Sequence, residues 1–422
     1  MHDSPLRDRL VLPALLSAMI AMTQLSACQH RIDPSILDPD RLAPIDAAIE
    51  SFIDRRQMPG AVYWLERRKG QESAVYQKAY GRHTYDANAE KITLDTVFDA
   101  ASLTKVIATA PSVMLLIEEG KLKIDAPLIE YFPECTGGGK DAITLRHLLT
   151  HTSGLAAGLP STPVWRGEAA ALALACKQTV THPPGTFFRY SDINFTLLGI
   201  LVQRISGMPL DQFAQTRLFD PLGMHDTGYL PLKRIPRERI APTQQLLDRA
   251  TQKLHGDLAD GGELRGVVHD PTVRFMGGVG GSAGVFITAA DLARYARMIV
   301  NDGIAVNDDG SDGVRVLSRE SVRLMREVQS PTGITELRSA GWDIHSPFSR
   351  PRGRVFPIGS FGHTGFTGCI LWIDPYSKTF FVFLSNRVYP NDRGNILDLY
   401  GQLGTLSAQA VAGVDFSAPA AK

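Results

Sequence analysis

The sequence Phe98-Asp99-Ala100-Ala101-Ser102-Leu103-Thr104-Lys105 precedes an apolar run from Val106 to Leu116. This pattern predicts a buried helix whose first turn carries a serine and a lysine on one face, because residues three apart are neighbours on a helix. Unpaired N–H groups in the first turn favour an oxyanion, and an adjacent lysine can help to take up a serine proton. Ser102 and Lys105 are therefore candidate catalytic residues, although a capping serine and a solvated lysine would give the same pattern.

The composition is that of an ordinary folded protein. The chain has 422 residues, of which 44% are hydrophobic and 21% charged, enough for one large domain or two closely packed ones. Lys+Arg and Asp+Glu both number 44, so no net field attracts nucleic acid, and we expect no nucleic-acid partner.

Three cysteines, Cys135, Cys176 and Cys369, lie within the predicted domain, and their spacing is not that of metal ligands. We expect neither a metal nor a cofactor. An oxidising compartment would allow one disulfide, but burial as small apolar residues is the favoured interpretation.

The first 27 residues are typical of a secretory signal. Arg7 and Arg9 precede an apolar run over 10–22, which is too short for a durable membrane span. The sequence Leu25-Ser26-Ala27-Cys28 resembles a bacterial lipobox, which implies lipidation of Cys28, although a plain signal with an incidental cysteine is the alternative. Gln29 then resembles lipoproteins sorted to an outer membrane, so we expect a periplasmic lipoprotein, with a membrane contact through its lipid anchor. Residues 28–41 are predicted to be a tether.

Strand patterns lie at both ends of the predicted domain, 42–410, and helical patterns lie in its middle. The predicted fold is therefore α/β (α+β), an antiparallel sheet built from both chain ends, flanked by helices, with an inserted mainly helical subdomain over about 121–270. We predict a flexible glycine loop at 277–281 and a disordered tail over 411–422. The predicted strands are 61–66, 74–80, 342–345, 369–374 and 380–384, and the predicted helices are 42–54, 102–120, 143–149, 195–205, 211–219, 288–300 and one from about Asn395.

Three further stretches carry candidate site residues. Residues 184–195 place Tyr190 in a loop before a helix, where a tyrosine near a cation can serve as a general base. Residues 362–368 are rich in glycine and open a strand, so their backbone N–H groups can approach a ligand closely. Residues 384–391 give an apolar strand an abrupt polar end. Each stretch alone has a structural alternative. Tyr190 could be a packing aromatic, residues 362–368 a tight turn into an edge strand, and residues 384–391 an ordinary end of a strand.

Together these stretches resemble the serine hydrolases of the penicillin-binding-protein and class C β-lactamase type, over roughly residues 45–400 and in the family's order. The matching elements are Ser102-Leu103-Thr104-Lys105, Leu148-Leu149-Thr150-His151-Thr152-Ser153-Gly154-Leu155, Tyr190-Ser191-Asp192, Pro221-Leu222-Gly223-Met224, Asp226-Thr227, His363-Thr364-Gly365 and Ser385-Asn386-Arg387-Val388-Tyr389-Pro390-Asn391.

The resemblance implies a β-lactamase/transpeptidase-like fold and a covalent acyl-enzyme at Ser102. It implies that Lys105 and Tyr190 share proton transfer, and that the backbone N–H groups of Ser102 and Phe366 form the oxyanion hole. Substrate binding is then assigned to Asp192, His363, Thr364, Gly365 and Asn386, with Asp192 holding Lys105 or a substrate amine.

Two departures from the family pattern bear on the substrate. Asp192 replaces the usual Asn, so an amide donor becomes an acceptor, and His363 replaces a Lys that recognises carboxylates. His-Thr-Gly and Tyr-Ser-Asp variants resemble esterases, peptidases and penicillin-binding protein 4B-like members. We therefore expect a D-Ala-D-Ala carboxypeptidase or other peptidase, or an esterase, acting on a small peptide or ester. The alternatives are a class C-type β-lactamase, or a catalytically silent binder of wall peptides or sensor of β-lactams. His151 and His269 are expected to be structural.

Overall fold

The computed structural model describes residues 32–246 and 262–417. The predicted signal over 1–27 and the lipidation site Cys28 lie outside these residues.

An antiparallel sheet built from both ends of the chain forms the centre of the described domain, as predicted. Its seven strands have the spatial order β2-β1-β13-β12-β11-β10-β9, so the N-terminal hairpin pairs with the last strand. The remaining strands form two-residue to four-residue pairs outside it. The strands in chain order are β1 (Gly60–Lys69), β2 (Glu72–Gly81), β3 (Phe98–Asp99), β4 (Gln244–Gln245), β5 (Glu263–Leu264), β6 (Phe286–Ile287), β7 (Ile304–Val306), β8 (Asp312–Arg315), β9 (Leu337–Arg338), β10 (Asp343–His345), β11 (Phe361–Gly365), β12 (Cys369–Asp374) and β13 (Thr379–Ser385).

Helices pack on both faces of the sheet, and several lie within the stretch predicted to be helical. The α-helices in chain order are α1 (Ala43–Asp54), α2 (Ala110–Glu118), α3 (Leu145–Leu149), α4 (Glu168–Cys176), α5 (Asp192–Ser206), α6 (Leu210–Ala214), α7 (Pro271–Phe275), α8 (Ala289–Val300), α9 (Arg319–Arg326) and α10 (Leu397–Gln409).

Strand periodicity divides the core into two layers. On β1, Val62 and Trp64 face the layer that holds α2, α5 and α8, whereas Tyr63 and Leu65 face the layer of α1 and α10. The central strand β13 alternates in the same way. Because both faces of these strands are covered, their sequences are nearly continuous apolar runs.

The helix that carries the serine is irregular at its start. Residues 101–103 form a 3₁₀ turn, residues 105–109 a π-helical turn, and α2 begins only at Ala110. Pro111 is the second residue of α2, where it lacks the N–H that would bond into the preceding turn, and the wider π turn adjoins it there. The run 101–118 is apolar and long enough to span a membrane, but it is mostly buried within the domain.

The predicted tether and tail are both too long. Ile36 and Leu37 are fully buried, and Leu37 forms a β-bridge with Val411. Phe416 packs edge-on against Phe356. These apolar side chains complete the layer around α1 and α10, so the described parts of both segments, 32–41 and 411–417, belong to the folded domain.

The cysteine prediction was wrong for two of the three residues. Cys135 and Cys176 form a disulfide that closes a 41-residue separation, whereas Cys369 is buried, as expected. The disulfide joins α4 to the loop before α3, a contact that depends on how the helical region packs.

In the stretch 277–281, which we predicted to be a flexible loop, Gly280 and Gly281 are buried, whereas Gly277 is exposed. The carbonyl of Gly281 accepts a hydrogen bond of 2.7 Å from the Thr109 hydroxyl. A side chain at Gly281 would collide with the backbone of α5. Here the glycine permits close packing of two backbones.

Candidate active site

Ser102 lies in the 3₁₀ turn, and Lys105 is the first residue of the π-helical turn that follows. The Lys105 Nζ is 3.0 Å from the Ser102 Oγ, so the predicted pairing on one helix face is present. Ala101, directly before the serine, has φ 45°, a left-handed conformation that non-glycine residues rarely adopt.

Lys105 is an ammonium donor surrounded by oxygen acceptors. Its Nζ donates to the Ser102 hydroxyl, to the Ser282 carbonyl at 2.8 Å, and to a carboxylate oxygen of Asp192 at 2.7 Å. The side chain is fully buried. Burial lowers the pKa of Lys105, but the charges and hydrogen bonds of Asp192 and Tyr190 outweigh it, so the net shift raises that pKa. A set of oxygen acceptors that includes a carboxylate matches the protonated form, which has three N–H groups to donate.

Asp192 begins α5, and its place in the site explains the departure from asparagine. The carboxylate is partly exposed while its lysine partner is buried. An asparagine here would leave the buried ammonium without a countercharge. Of the two roles proposed for Asp192, the structure therefore shows the first, that of holding Lys105.

His151 supports the ring of Tyr190. The two rings stack with centroids 4.4 Å apart, and the His151 Nδ1 accepts the backbone N–H of Ser191 at 3.0 Å. Burial, with the nearby cations Arg338 and Lys105, holds the pKa of His151 well below its usual value. His151 is thus a neutral packing residue, and Tyr190 lies with its ring centroid 5.1 Å from the Lys105 Nζ.

Strand β11 brings the His-Thr-Gly motif to the opposite wall of the site. It lies between β12 and β10, so the alternative of an edge strand is wrong. The His363 Nδ1 bonds to the Thr364 carbonyl at 2.8 Å. Burial, with Arg338 and Lys105 nearby, lowers the pKa of His363 well below its usual value. His363 is neutral at pH 7 and does not replace the charge of the family's lysine.

Gly365 and Phe366 adjoin the serine turn. A side chain at Gly365 would collide with the carbonyl oxygen of Ala100, so glycine allows the end of β11 to approach the residues before Ser102. The backbone of Phe366 follows at once, while its ring is 53% exposed. The oxyanion role of the Phe366 N–H stays a prediction.

A cavity of about 140 Å³ joins these elements. It contains most of the predicted site residues, together with three that the sequence analysis missed: Arg338, Asp343 and Phe348. The lining is formed by Ser102, Tyr190, Arg338, Asp343, Phe348, His363, Thr364 and Phe366.

The three missed residues form one unit. Arg338 and Asp343 are a fully buried ion pair at 3.3 Å. Asp343 also accepts hydrogen bonds from the hydroxyls of Ser346, at 2.6 Å, and Ser349, at 2.7 Å, and this holds the intervening Phe348 ring 5.1 Å from that of Tyr190. In the sequence these residues look like ordinary polar and loop positions, and only the strand predicted at 342–345 indicated that Asp343 is buried.

The assignment of Asn386 to substrate binding is not supported by the structure. Asn386 is buried and does not line the cavity. Its amide donates to the carbonyls of His83, at 2.8 Å, and Pro242, at 2.9 Å. Its donors are thus used to join β13 to two loops.

Comparison with known proteins gives the family of this chain. The Beta-lactamase family model matches residues 45–405. An Escherichia coli K12 protein named "Putative D-alanyl-D-alanine carboxypeptidase" is 30% identical over 340 residues, which is 74% of this chain and 75% of that protein.

Two solved structures share the fold. EstCE1, described as a hydrolase with promiscuous acyltransferase activity, has a TM-score of 0.64 at 19% identity, covering 88% of this chain and 98% of its own. A class C β-lactamase from Rhodobacter sphaeroides has a TM-score of 0.61 at 21% identity, covering 86% of this chain and 99% of its own. With a family match over most of its length and the serine–lysine pair in place, this chain belongs to the β-lactamase family and is a serine hydrolase.

Proposed function

We propose that the protein removes the terminal residue of peptides ending in D-alanyl-D-alanine, through an acyl-enzyme at Ser102. The observation that carries the proposal is a cavity that Ser102 and the buried guanidinium of Arg338 both line. The name of the Escherichia coli relative supports the same substrate class.

The serine chemistry follows from the protonated state of Lys105. An ammonium has no lone pair to take up a proton, so the group that accepts the Ser102 proton is Tyr190, reacting as the phenolate that the neighbouring Lys105 ammonium stabilises. The Ser102 oxygen then bonds to the substrate carbonyl carbon, and the backbone N–H groups of Ser102 and Phe366 stabilise the oxyanion. The C–N bond breaks, and the proton passes to the amine of the leaving D-alanine. Water then hydrolyses the ester on Ser102.

Arg338 is the group suited to the carboxylate of the leaving residue. His363 is neutral and Lys105 is paired with Asp192. Arg338 donates through Nη1 to Asp343 and through Nη2 to the Gly341 carbonyl at 3.0 Å, and among the described residues its Nε has no acceptor. A planar guanidinium suits a carboxylate geometrically.

Ester hydrolysis is the second candidate. The rings of Phe348 and Phe366 line the cavity and are 43% and 53% exposed. Such rings favour an apolar acyl or alcohol group. Efficient penicillin hydrolysis is disfavoured because Asp192 cannot donate like an amide and His363 carries no charge.

The test measures D-alanine release from an N-acylated peptide ending in D-alanyl-D-alanine, with wild-type protein, Ser102→Ala and Arg338→Gln. We expect release by the wild type, none by Ser102→Ala, and for Arg338→Gln a raised KM for the peptide with little change for a short-chain ester. Ester turnover without D-alanine release would favour the esterase. Rapid turnover of a fluorescent penicillin would favour a β-lactamase. If the peptide, the ester and the penicillin are all left unchanged, the result would favour a catalytically silent binder.

We also propose that the protein is an exported periplasmic lipoprotein, anchored in an outer membrane through Cys28. The proposal is supported by Arg7, Arg9, the apolar run and the sequence Leu25-Ser26-Ala27-Cys28. Metabolic labelling with a palmitate analogue tests it. Label on the wild type but not on Cys28→Ala is expected, and equal labelling of both would contradict it.

A further inference from the structure

Three chain segments meet at Asp99, the residue that ends β3 just before the serine turn. One carboxylate oxygen accepts the Ala101 N–H at 2.8 Å, and the other accepts the His269 N–H at 2.7 Å. The Asp99 carbonyl accepts the Thr367 hydroxyl at 2.7 Å. Asp99 is 1% exposed and does not line the cavity, so it acts on the site through its neighbours.

Two of these contacts lead to the groups assigned to the oxyanion hole. Ala101 precedes Ser102 and has φ 45°, a conformation that persists only where surrounding contacts impose it. Thr367 follows Phe366 directly. The third contact fixes His269, whose ring stacks on that of Phe366 with centroids 5.5 Å apart.

We infer that Asp99 is a positioning residue that sets the relative placement of the Ser102 and Phe366 backbone N–H groups. The inference rests on the proposed acyl-enzyme chemistry at Ser102. Both carboxylate oxygens must act as acceptors, and only the ionised form provides this fully, because a protonated oxygen would face an N–H donor.

The groups around Asp99 move its pKa into a pH range in which its ionisation can be followed. Burial, with a smaller contribution from the charge of Asp270, raises the pKa of Asp99 to about 6, although the N–H groups of His269 and Ala101 and the charge of Arg274 oppose the rise. The Cys369 thiol, which also faces Asp99, has its pKa raised to about 12 by burial and is neutral. His269, whose pKa burial lowers to about 4, is neutral above that pH.

The ionised carboxylate of Asp99 does not stabilise the fold. Because the folded-state pKa lies above the usual value, the folded protein binds more protons in this range, and the contribution of Asp99 to stability falls as pH rises from about 4 to about 6. A residue whose charge opposes folding yet stands beside the nucleophile fits a functional role.

The near-isosteric variant Asp99→Asn tests the inference in the full chain. Its amide offers one acceptor and directs a donor at the second N–H. The readout is the rate at which a fluorophosphonate probe labels Ser102, followed by intact mass, because this reports serine reactivity without a known substrate. The matched control is Asp374→Asn, a buried carboxylate that bonds Ser377 at the opposite end of β12.

We expect Asp99→Asn to label roughly 100-fold more slowly at about pH 8, the effect of a misplaced oxyanion donor. The ratio of the wild-type labelling rate to the Asp99→Asn labelling rate should fall to roughly tenfold at about pH 5, where Asp99 of the wild type is itself mostly protonated. The melting temperature of Asp99→Asn should be unchanged or raised, and Asp374→Asn should label like the wild type.

Three outcomes would overturn the inference. Equal labelling of the wild type and Asp99→Asn would remove the positioning role and leave the proposed function intact. A constant ratio at all pH values would indicate a general structural defect. No labelling of the wild type would contradict both proposals. If Asp99→Asn does not fold, Thr367→Val removes the carbonyl contact instead. It should slow labelling by a pH-independent factor, and a wild-type rate would contradict the inference.

Discussion

The Lys105 ammonium and the Asp192 carboxylate form a 2.7 Å ion pair, with the lysine fully buried and the aspartate partly exposed. The pair fixes Lys105 as a hydrogen-bond donor to the Ser102 Oγ. It also accounts for the exchange of the family's asparagine for aspartate.

Replacing Asp192 by Asn should therefore move the pH profile of the enzyme. Burial alone lowers the pKa of Lys105, and Asp192 is the first of the groups that reverse this. Without the carboxylate, Lys105 loses its proton at lower pH, so the alkaline limb of kcat/KM should move down by about 1–3 pH units. The measurement is kcat/KM for a short-chain ester against pH. An unchanged alkaline limb would show that Lys105 does not act as an ammonium donor.

Two substitutions at Phe366 test its backbone N–H and its side chain separately. Phe366→Pro removes the N–H and should lower kcat by roughly 100- to 1000-fold. Phe366→Ala keeps the N–H and removes an exposed ring, so its effect should fall mainly on KM for apolar esters. Steady-state kinetics check both, with melting temperatures to confirm folding. A proline variant as active as the alanine variant would place the oxyanion hole elsewhere.

The disulfide should contribute to stability and leave the site intact. Its 41-residue separation gives a chain-entropy contribution of about 4 kcal/mol. Cys135→Ser combined with Cys176→Ser should lower the free energy of unfolding in guanidinium by up to that amount, with little change in kcat. Reductant should destabilise the wild type and not the double variant. Reaction of Cys135 or Cys176 with a thiol reagent in the denatured, unreduced wild type, located by peptide mapping, would contradict the pairing.

We predicted the site residues from several short motifs that occur along the chain in the order typical of the family. Ser102 and Lys105 lie in the helical turns before α2, Tyr190 lies in the loop two residues before α5, and His363 and Thr364 lie in β11. The sheet itself was predictable because its apolar runs are long and bounded by turns.

Long-range placement explains what the sequence analysis missed or misassigned. Arg338 and Asp343 are buried together only because β9 and β10 form a bulged pair beside β11. Asn386 and the Cys135–Cys176 disulfide likewise depend on which loops pack together. No local pattern encodes these contacts.

The most direct test of the central claim is intact-mass and peptide-mapping analysis of the protein after rapid mixing with an N-acyl-D-alanyl ester. We predict a transient mass increase equal to the acyl group, located on Ser102 and absent from Ser102→Ala. Turnover by Ser102→Ala at the wild-type rate, or an acyl group on another residue, would contradict an acyl-enzyme at Ser102.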